Sequence, residues 1–433
     1  ISSRVIDELI DSKGVSGREG SKTSLFRRSC PVRLSLKITL SVLIVLHLLT
    51  AFDEKQAYCQ PQQQTQTVTA SPIGTTDFTQ YWSAFNLLQE GANPYDGDLM
   101  HKKQLTVGQR PEATVLMWNP PWTPLLLAPI LIFPFSLSAN VWTIINILFL
   151  VGAIIITSNL TGSKRIFYLG LAAVSFLPAL ETIQLGQLSL LLAVAMMFGS
   201  YLVVRKRDLG AGAAFSILTI KPHLFFLLIV PVLIWLKSSG RYRIVVGFIL
   251  TFLAMLIATA LLWPSAIQWW LHALTVEPSG PGAVSMVNWR TATLTTQLRS
   301  LISFFTGNIP TWPIWFVPTV SFLAVASYFF RLGSIKWQRQ AAPLICLSLG
   351  LGSYGWFFDQ AVLLPFYLLL VGYALCSHEA SATKRSLFFS LLSIQLFALL
   401  LGFFPNVEQA TYFWLPFAFC AVWLKYERLF CSR

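Results

Sequence analysis

The feature that most limits this chain is a succession of apolar runs parted by short basic clusters. The runs fall near 34–52, 139–158, 166–181, 187–204, 209–220, 222–236, 244–263, 312–330, 341–356, 361–376, 386–403 and 410–424. A helix needs about 20 apolar residues to cross the ~30 Å hydrocarbon core of a bilayer. Inside that core each backbone group must be satisfied within the chain, which selects helices for runs of this kind. The expected fold is an all-α integral membrane protein, a polytopic bundle of about twelve transmembrane helices. Several runs are short for that purpose and are expected to be tilted, broken or half-buried in protein. The stretch 122–135 is apolar but short and holds Pro124, Pro129 and Pro134, so it reads as re-entrant or interfacial.

Charge excludes the main alternatives. Only 11% of the 433 residues are charged and 55% are hydrophobic, against about 25% charged in a soluble domain. A water-soluble enzyme and a disordered chain are both set aside. The net charge of +13 is spread over the clusters between runs. It forms no basic patch on a soluble module, so no nucleic-acid partner is expected. The six cysteines make no CxxC pair, and neither a disulfide framework nor a metal site is expected.

Residues 1–32 are polar and basic with no apolar period. They are expected to form a disordered cytoplasmic tail, leaving 33–433 as the membrane domain. The run 34–52 follows Arg27, Arg28, Arg33 and Lys37 and meets Asp53, Glu54 and Lys55 with no clear small-residue cleavage site. It reads as a retained signal anchor with its N-terminus in the cytoplasm. Alternating the twelve runs leaves only Lys55, Lys102, Lys103, Arg110, Lys221, Arg290 and Arg299, of 31 lysines and arginines, on the outer side. That bias has the sign of the positive-inside rule. The outer face then gathers a first loop at 53–138, the Gly186-Gln187 turn, the Lys221-Pro222-His223 break, the loop 264–311 and the turn at Asp359.

The first outer loop carries TTDFTQYWSAFNLLQEGANPYD. Thr75 or Thr76 can cap a helix that stops at Gly91, with Pro94 beyond. Phe78, Trp82, Phe85 and Leu88 recur at helical spacing, which predicts a short amphipathic helix on the membrane surface with Trp82 at the interface. Asp77 opens that helix. It is either a cap or first-turn carboxylate or a general base for a sugar hydroxyl at the membrane surface. Tyr81 lies one turn on, on the same face.

Pro222 removes a backbone donor inside an apolar stretch, and such a break can turn Lys221 toward a cavity. There it would suit a phosphate. Alternatively it snorkels at a helix end. His223 is a weaker candidate for substrate contact. In the loop 264–311, Trp269, Trp270, His272, Glu277, Trp289, Arg290 and Arg299 suit a sugar and a phosphate, or an interfacial aromatic belt. Asp359 follows Trp356-Phe357-Phe358, and an acid in so apolar a setting is either functional or exposed in a short outer loop. No phosphate-binding glycine loop, HExxH or GxSxG with a suitable context occurs.

Five segments in order carry a resemblance: DFTQYWSAFNLLQEGANPYD (77–96), WNPPWTPLLLAPI (118–130), QLGQLSLLL (184–192), ILTIKPHLFFLL (217–228) and SYGWFFDQAVLLP (353–365). Together the chain resembles the polyprenol-phosphate-mannose-dependent mannosyltransferases of the GT-C superfamily. The resemblance implies an inverting membrane transferase that uses a polyprenyl-phosphate sugar as donor and no cofactor. The acceptor would be a glycolipid or glycan, and the active site would face outward from a bacterial inner (plasma) membrane. It places the general base on Asp77 and substrate contacts on Tyr81, Asn119, Gln187, Lys221, His223, Arg290, Arg299 and Asp359. Some members carry histidine where this chain has Asp359. A polytopic transporter or lipid flippase is the competing reading, supported by the span count and the proline breaks. Against it, no internal repeat is visible, and eleven of the 18 acidic residues fall on the outer side.

Overall fold

The computed structural model describes residues 77–283, 291–376, 381–404 and 408–427. The expected anchor at 34–52 and tail at 1–32 lie outside them. Among the described residues the structure is all helical. In chain order the helices are α1 (Phe78–Gln89), α2 (Gly97–Leu105), α3 (Trp122–Leu131), α4 (Phe135–Thr161), α5 (Ile166–Ser175), α6 (Leu177–Leu185), α7 (Ser189–Val204) and α8 (Asp208–Ser216). They continue as α9 (Ile229–Ser239), α10 (Arg243–Leu262), α11 (Ala266–Ala273), α12 (Leu294–Thr306), α13 (Pro313–Leu332), α14 (Trp337–Leu351), α15 (Leu364–Cys376), α16 (Ser381–Gly402) and α17 (Leu415–Tyr426). Tighter 3-10 segments at Ile217–Ile220, Pro222–Leu228, Phe357–Leu363 and Gln409–Trp414 interrupt the series.

Six segments are long and apolar enough to cross a membrane, or seven if the pair α5 and α6, bent by 67°, counts as one broken span. Twelve full spans are therefore not reached among the described residues. The runs at 187–204 and 209–220 form helical pieces too short to qualify, and the last run is split between a 3-10 segment and α17. Helix α3, with Pro129 inside it, is ten residues long, or about 15 Å at 1.5 Å per residue. It is too short to cross and ends before an extended break at Pro134, in keeping with a re-entrant or interfacial segment.

Helix α4 shows why a membrane span folds with its polar face inward. Ser138, Trp142, Asn146, Ala153 and Thr157 are buried at helical spacing, while Ile144, Ile147, Leu148, Val151 and Ile155 are exposed. Lipid tails solvate the isoleucines as well as a protein core would, so small and hydrogen-bonding residues decide which face packs. The Trp142 indole donates to the Gly186 carbonyl at 2.9 Å, and the Asn146 amide to the Trp142 carbonyl at 3.0 Å. Of the most apolar 18-residue stretch of Phe357–Cys376, 89% is buried, so the segment that carries Asp359 is enclosed by the others.

The first outer-loop helix differs from expectation. Nine of the twelve residues of α1 are buried, including Thr79, Gln80 and Ser83. It is packed within the protein instead of presenting a single apolar face. Phe78 packs on Trp142 with ring centroids 6.2 Å apart, and Phe85 on Trp263 at 6.1 Å. Trp82 is only partly buried and donates to the Phe133 carbonyl at 3.0 Å. The periodicity was correct for a helix, but polar residues on both faces reflect a protein interior that is itself polar.

Candidate active site

Segments far apart in sequence enclose a cavity of about 1340 Å³. Asp77 and Gln80 come from the start of α1, Trp118 and Asn119 from the loop before α3, and Gln187 from the turn after α6. Lys221 and His223 come from the broken stretch before α9, Trp270 from α11, and Tyr354 to Asp359 from the turn before α15. Leu399 and Phe403 of the α16 end supply an apolar wall, and Glu181, Gln409 and Tyr412 a polar one. Segments from the first loop, the Gly186-Gln187 turn, the Lys221 break, the loop 264–311 and the turn at Asp359 thus meet in one space, joined by residues of the 399–412 stretch.

Local sequence explains the placements. Gly186 ends α6 with φ +70°, a left-handed conformation that glycine enters without a Cβ penalty. The turn it makes points Gln187 back across the bundle, and its neighbour Leu185 accepts from the Asp77 backbone N–H at 3.1 Å. At Lys221 the backbone leaves helical geometry (φ −134°, ψ 70°) between two 3-10 segments. Pro222 accounts for this break, because the residue before a proline is driven out of the α region.

The polar groups form a chain. The Gln187 amide donates to Asp77 Oδ2 at 2.7 Å. Its carbonyl oxygen accepts from the Tyr81 hydroxyl at 3.0 Å and from Lys221 Nζ at 3.3 Å. An ammonium can only donate and a carboxylate can only accept, so this orientation of the amide is the one that satisfies both neighbours. Lys221 Nζ also donates to Asp359 Oδ1 at 2.7 Å, an ion pair with both side chains buried. Ser189 donates to the same oxygen at 3.0 Å, and the Trp356 backbone N–H to Oδ2 at 3.1 Å. Beside the pair, His223 Nδ1 lies 3.1 Å from the Tyr354 hydroxyl, with the rings 4.1 Å apart. His223 Nε2 is buried and has no hydrogen-bond partner among the described residues.

Asp77 occupies the N-cap position of α1, yet its side chain makes no cap bond. A side-chain cap is therefore not its role, while its place at the helix N-terminus still favours a carboxylate. One oxygen is fixed by Gln187, and the other takes no hydrogen bond from any described residue. Burial pushes the Asp77 carboxyl above its ordinary range, the Asp359 charge adds to this, and the Gln187 amide and the Lys221 charge oppose it. A carboxylate with raised proton affinity is a stronger base. Burial and the two carboxylates likewise push the Tyr81 hydroxyl well up, so it stays a donor.

Two other readings change. Lys221 does not snorkel and is not a free cation, because Asp359 compensates it. Asp359 is not exposed in a loop. Asn119 is buried on the cavity wall. Arg299 is not among the lining residues. It is buried on α12 and its Nε donates to the Pro310 carbonyl at 2.9 Å, which ties down the following turn. Arg290 and Trp289 lie outside the described residues, and Trp269, His272 and Glu277 line a separate, smaller cavity. Sequence reasoning missed Ser189, Tyr354 and the contact of Gln409 Nε2 with Glu181 Oε1 at 2.6 Å. Ser189 and Tyr354 sat inside segments already singled out. Glu181 carried the signal of a lone acid in an apolar run.

With this geometry established, comparison with known proteins gives one family. The model of glycosyltransferase family 87 matches residues 118–352, more than half of the chain. That stretch contains Asn119, Gln187, Lys221 and His223, and stops seven residues short of Asp359. No curated protein and no solved structure matches the chain.

Proposed function

Because the chain belongs to glycosyltransferase family 87, we propose that this membrane glycosyltransferase moves mannose from a polyprenyl-phosphate donor to a glycolipid or glycan acceptor. Transfer takes place on the outer side of a bacterial plasma membrane, with inversion, in the manner of GT-C enzymes. The observation that carries the reading is Asp77: a half-buried carboxylate with one oxygen held by Gln187 at 2.7 Å and the other left to the cavity.

In this reading an acceptor hydroxyl gives its proton to Asp77 Oδ1 as its oxygen bonds to the anomeric carbon. The bond from that carbon to the donor phosphate breaks on the opposite face, and polyprenyl phosphate leaves with the electron pair. Asp77 and Asp359 against Lys221 leave the network one negative charge, which favours the positive charge that develops on a sugar ring during such displacements. Lys221 spends two of its three hydrogens on Asp359 and Gln187, so the third remains for the leaving phosphate. The apolar wall at Leu399 and Phe403 suits a lipid tail entering from the bilayer.

The test is transfer of radiolabel from polyprenyl-phosphate mannose to glycolipid in proteoliposomes. Transfer from the lipid-linked sugar is expected. Transfer from a nucleotide sugar alone would overturn the donor assignment.

A further inference from the structure

Beside the main cavity lies a second one of about 190 Å³. Leu116 and Trp118 line both, so the two are neighbours across a shared wall. The smaller space is well below the ~300–1,000 Å³ of pockets that take a whole ligand. It suits one ring of a ligand whose remainder occupies the larger cavity.

Its lining is chemically specific. Tyr95, Trp118 and Trp269 provide aromatic surface, and Asp96, His272 and Glu277 provide polar groups. Asp96 Oδ1 caps α2 by accepting from the backbone N–H groups of Asp98 and Leu99. Its Oδ2, the Glu277 carboxylate and the His272 ring take no hydrogen bond from any described residue. Among the described residues no lysine or arginine lines the space. Nor do these groups assemble as a set of metal ligands. Aromatic faces beside unspent carboxylate acceptors fit a neutral polyhydroxylated ring.

The cavity is built rather than incidental. The Gly97 backbone N–H donates to Ser279 Oγ at 3.1 Å, and a Cβ at Gly97 would sit 1.8 Å from the Ser279 carbonyl oxygen. Only glycine lets the two loops approach this closely. The Trp270 indole donates to the Trp118 carbonyl at 3.2 Å, and the Tyr95 hydroxyl to the Asn119 carbonyl at 3.0 Å. These bonds hold the shared wall.

We infer that the small cavity holds a sugar unit of the acceptor glycan adjacent to the one that receives the transferred sugar. This rests on the glycosyltransferase reading above. The enzyme then selects acceptors that already carry at least two sugars.

Binding to the detergent-solubilised full chain, without donor, tests this directly. Octyl mannoside and the octyl di- and trimannosides are titrated by saturation-transfer NMR. The di- and trisaccharides are expected to bind about tenfold more tightly than the monosaccharide, the loss expected from one hydrogen bond to a charged group. Trp269→Ala and Glu277→Gln should each abolish that advantage and leave the monosaccharide unchanged. Glu277 is exposed, so its variant reports even where Trp269→Ala disturbs the fold. Equal binding of all three glycosides by the wild type, no binding of any, or an equal loss for all three in Glu277→Gln would overturn the inference. Because no donor is present, failure of polyprenyl-phosphate transfer would count against the proposed reaction and leave this result readable.

Discussion

Replacing Asp77 by asparagine separates the chemistry of the site from its architecture. An asparagine carbonyl can still accept from the Gln187 amide, so the 2.7 Å contact and the lock on Tyr81 and Lys221 need not be lost. What disappears is the charge. A hydrogen bond to a charged group contributes about 1.5–3 kcal/mol and a neutral one about 0.5–1.5, so the contact weakens by roughly 1 kcal/mol. Against this, burial is the largest influence on Asp77 and disfavours its charged form, so the variant is relieved of a desolvation cost. Melting in detergent should therefore shift little, and upward if at all. Turnover should fall by about 10²–10⁴-fold, the usual worth of a positioned base. The pH dependence follows from the same shift. Asp77 must be deprotonated to act, so activity is lost as pH falls through its raised value, above the ordinary 3.8. For stability the sign is opposite. The folded state holds this proton more tightly than the unfolded one, so the contribution of Asp77 is full below 3.8 and is lost as pH rises through the folded value. The assay is transfer from a defined lipid-linked donor beside a melt over the same pH range. Transfer within a few-fold of wild type in Asp77→Asn would refute the base assignment.

Lys221→Gln strands the buried Asp359 carboxylate and should destabilise by about 3–5 kcal/mol. The double variant Lys221→Gln, Asp359→Asn should recover most of the melting temperature without recovering transfer; recovery of transfer would remove the ion pair from catalysis. Gln187→Leu leaves Asp77, Tyr81 and Lys221 without their shared partner. It should lower kcat with little change in KM for the acceptor, and a KM effect alone would contradict the positioning role. Sidedness is tested with cysteines placed at the exposed Lys102 and Ser334 in a background without the six native cysteines. An impermeant thiol reagent should reach the first from outside and not the second; the reverse would invert the orientation. Gly97 is unsuitable for this label, because a side chain there collides with Ser279.

Much of this arrangement was legible because membrane helices advertise themselves locally. Apolar runs located the long helices, prolines located the breaks at 122–135 and at Lys221, and the short length of several runs foretold bent or broken pieces. Pairings across the bundle were not legible. Lys221 and Asp359 are 138 positions apart, and nothing in either neighbourhood says that one neutralises the other. The burial of α1 was hidden for a related reason. Gln80 and Ser83 look like a water-facing side, whereas here Ser83 is buried in protein and Gln80 lines the cavity. The distinction between Arg299 and Lys221 also depends on tertiary structure. Both read in the sequence as lone cations between apolar runs, yet one secures the turn at Pro310 and the other reaches the cavity.

The 3-10 openings of two spans bear on bilayer thickness. In a 3-10 segment each residue rises about 2.0 Å instead of 1.5 Å, so seven such residues add roughly 3.5 Å. Pro222–Ser239 thereby reaches about 30 Å, the depth of the hydrocarbon core, where a plain α-helix of that length would reach only ~27 Å. The extra reach lies at the end that carries Lys221, and Phe357–Leu363 adds the same increment beside Asp359. In the proposed reaction this end of each segment is the one that meets the headgroup boundary, where the phosphate of an amphiphilic lipid resides while its chain stays in the hydrocarbon. On that proposal, hydrophobic mismatch in a markedly thicker membrane would draw the ion pair below the plane of the phosphates and lower transfer.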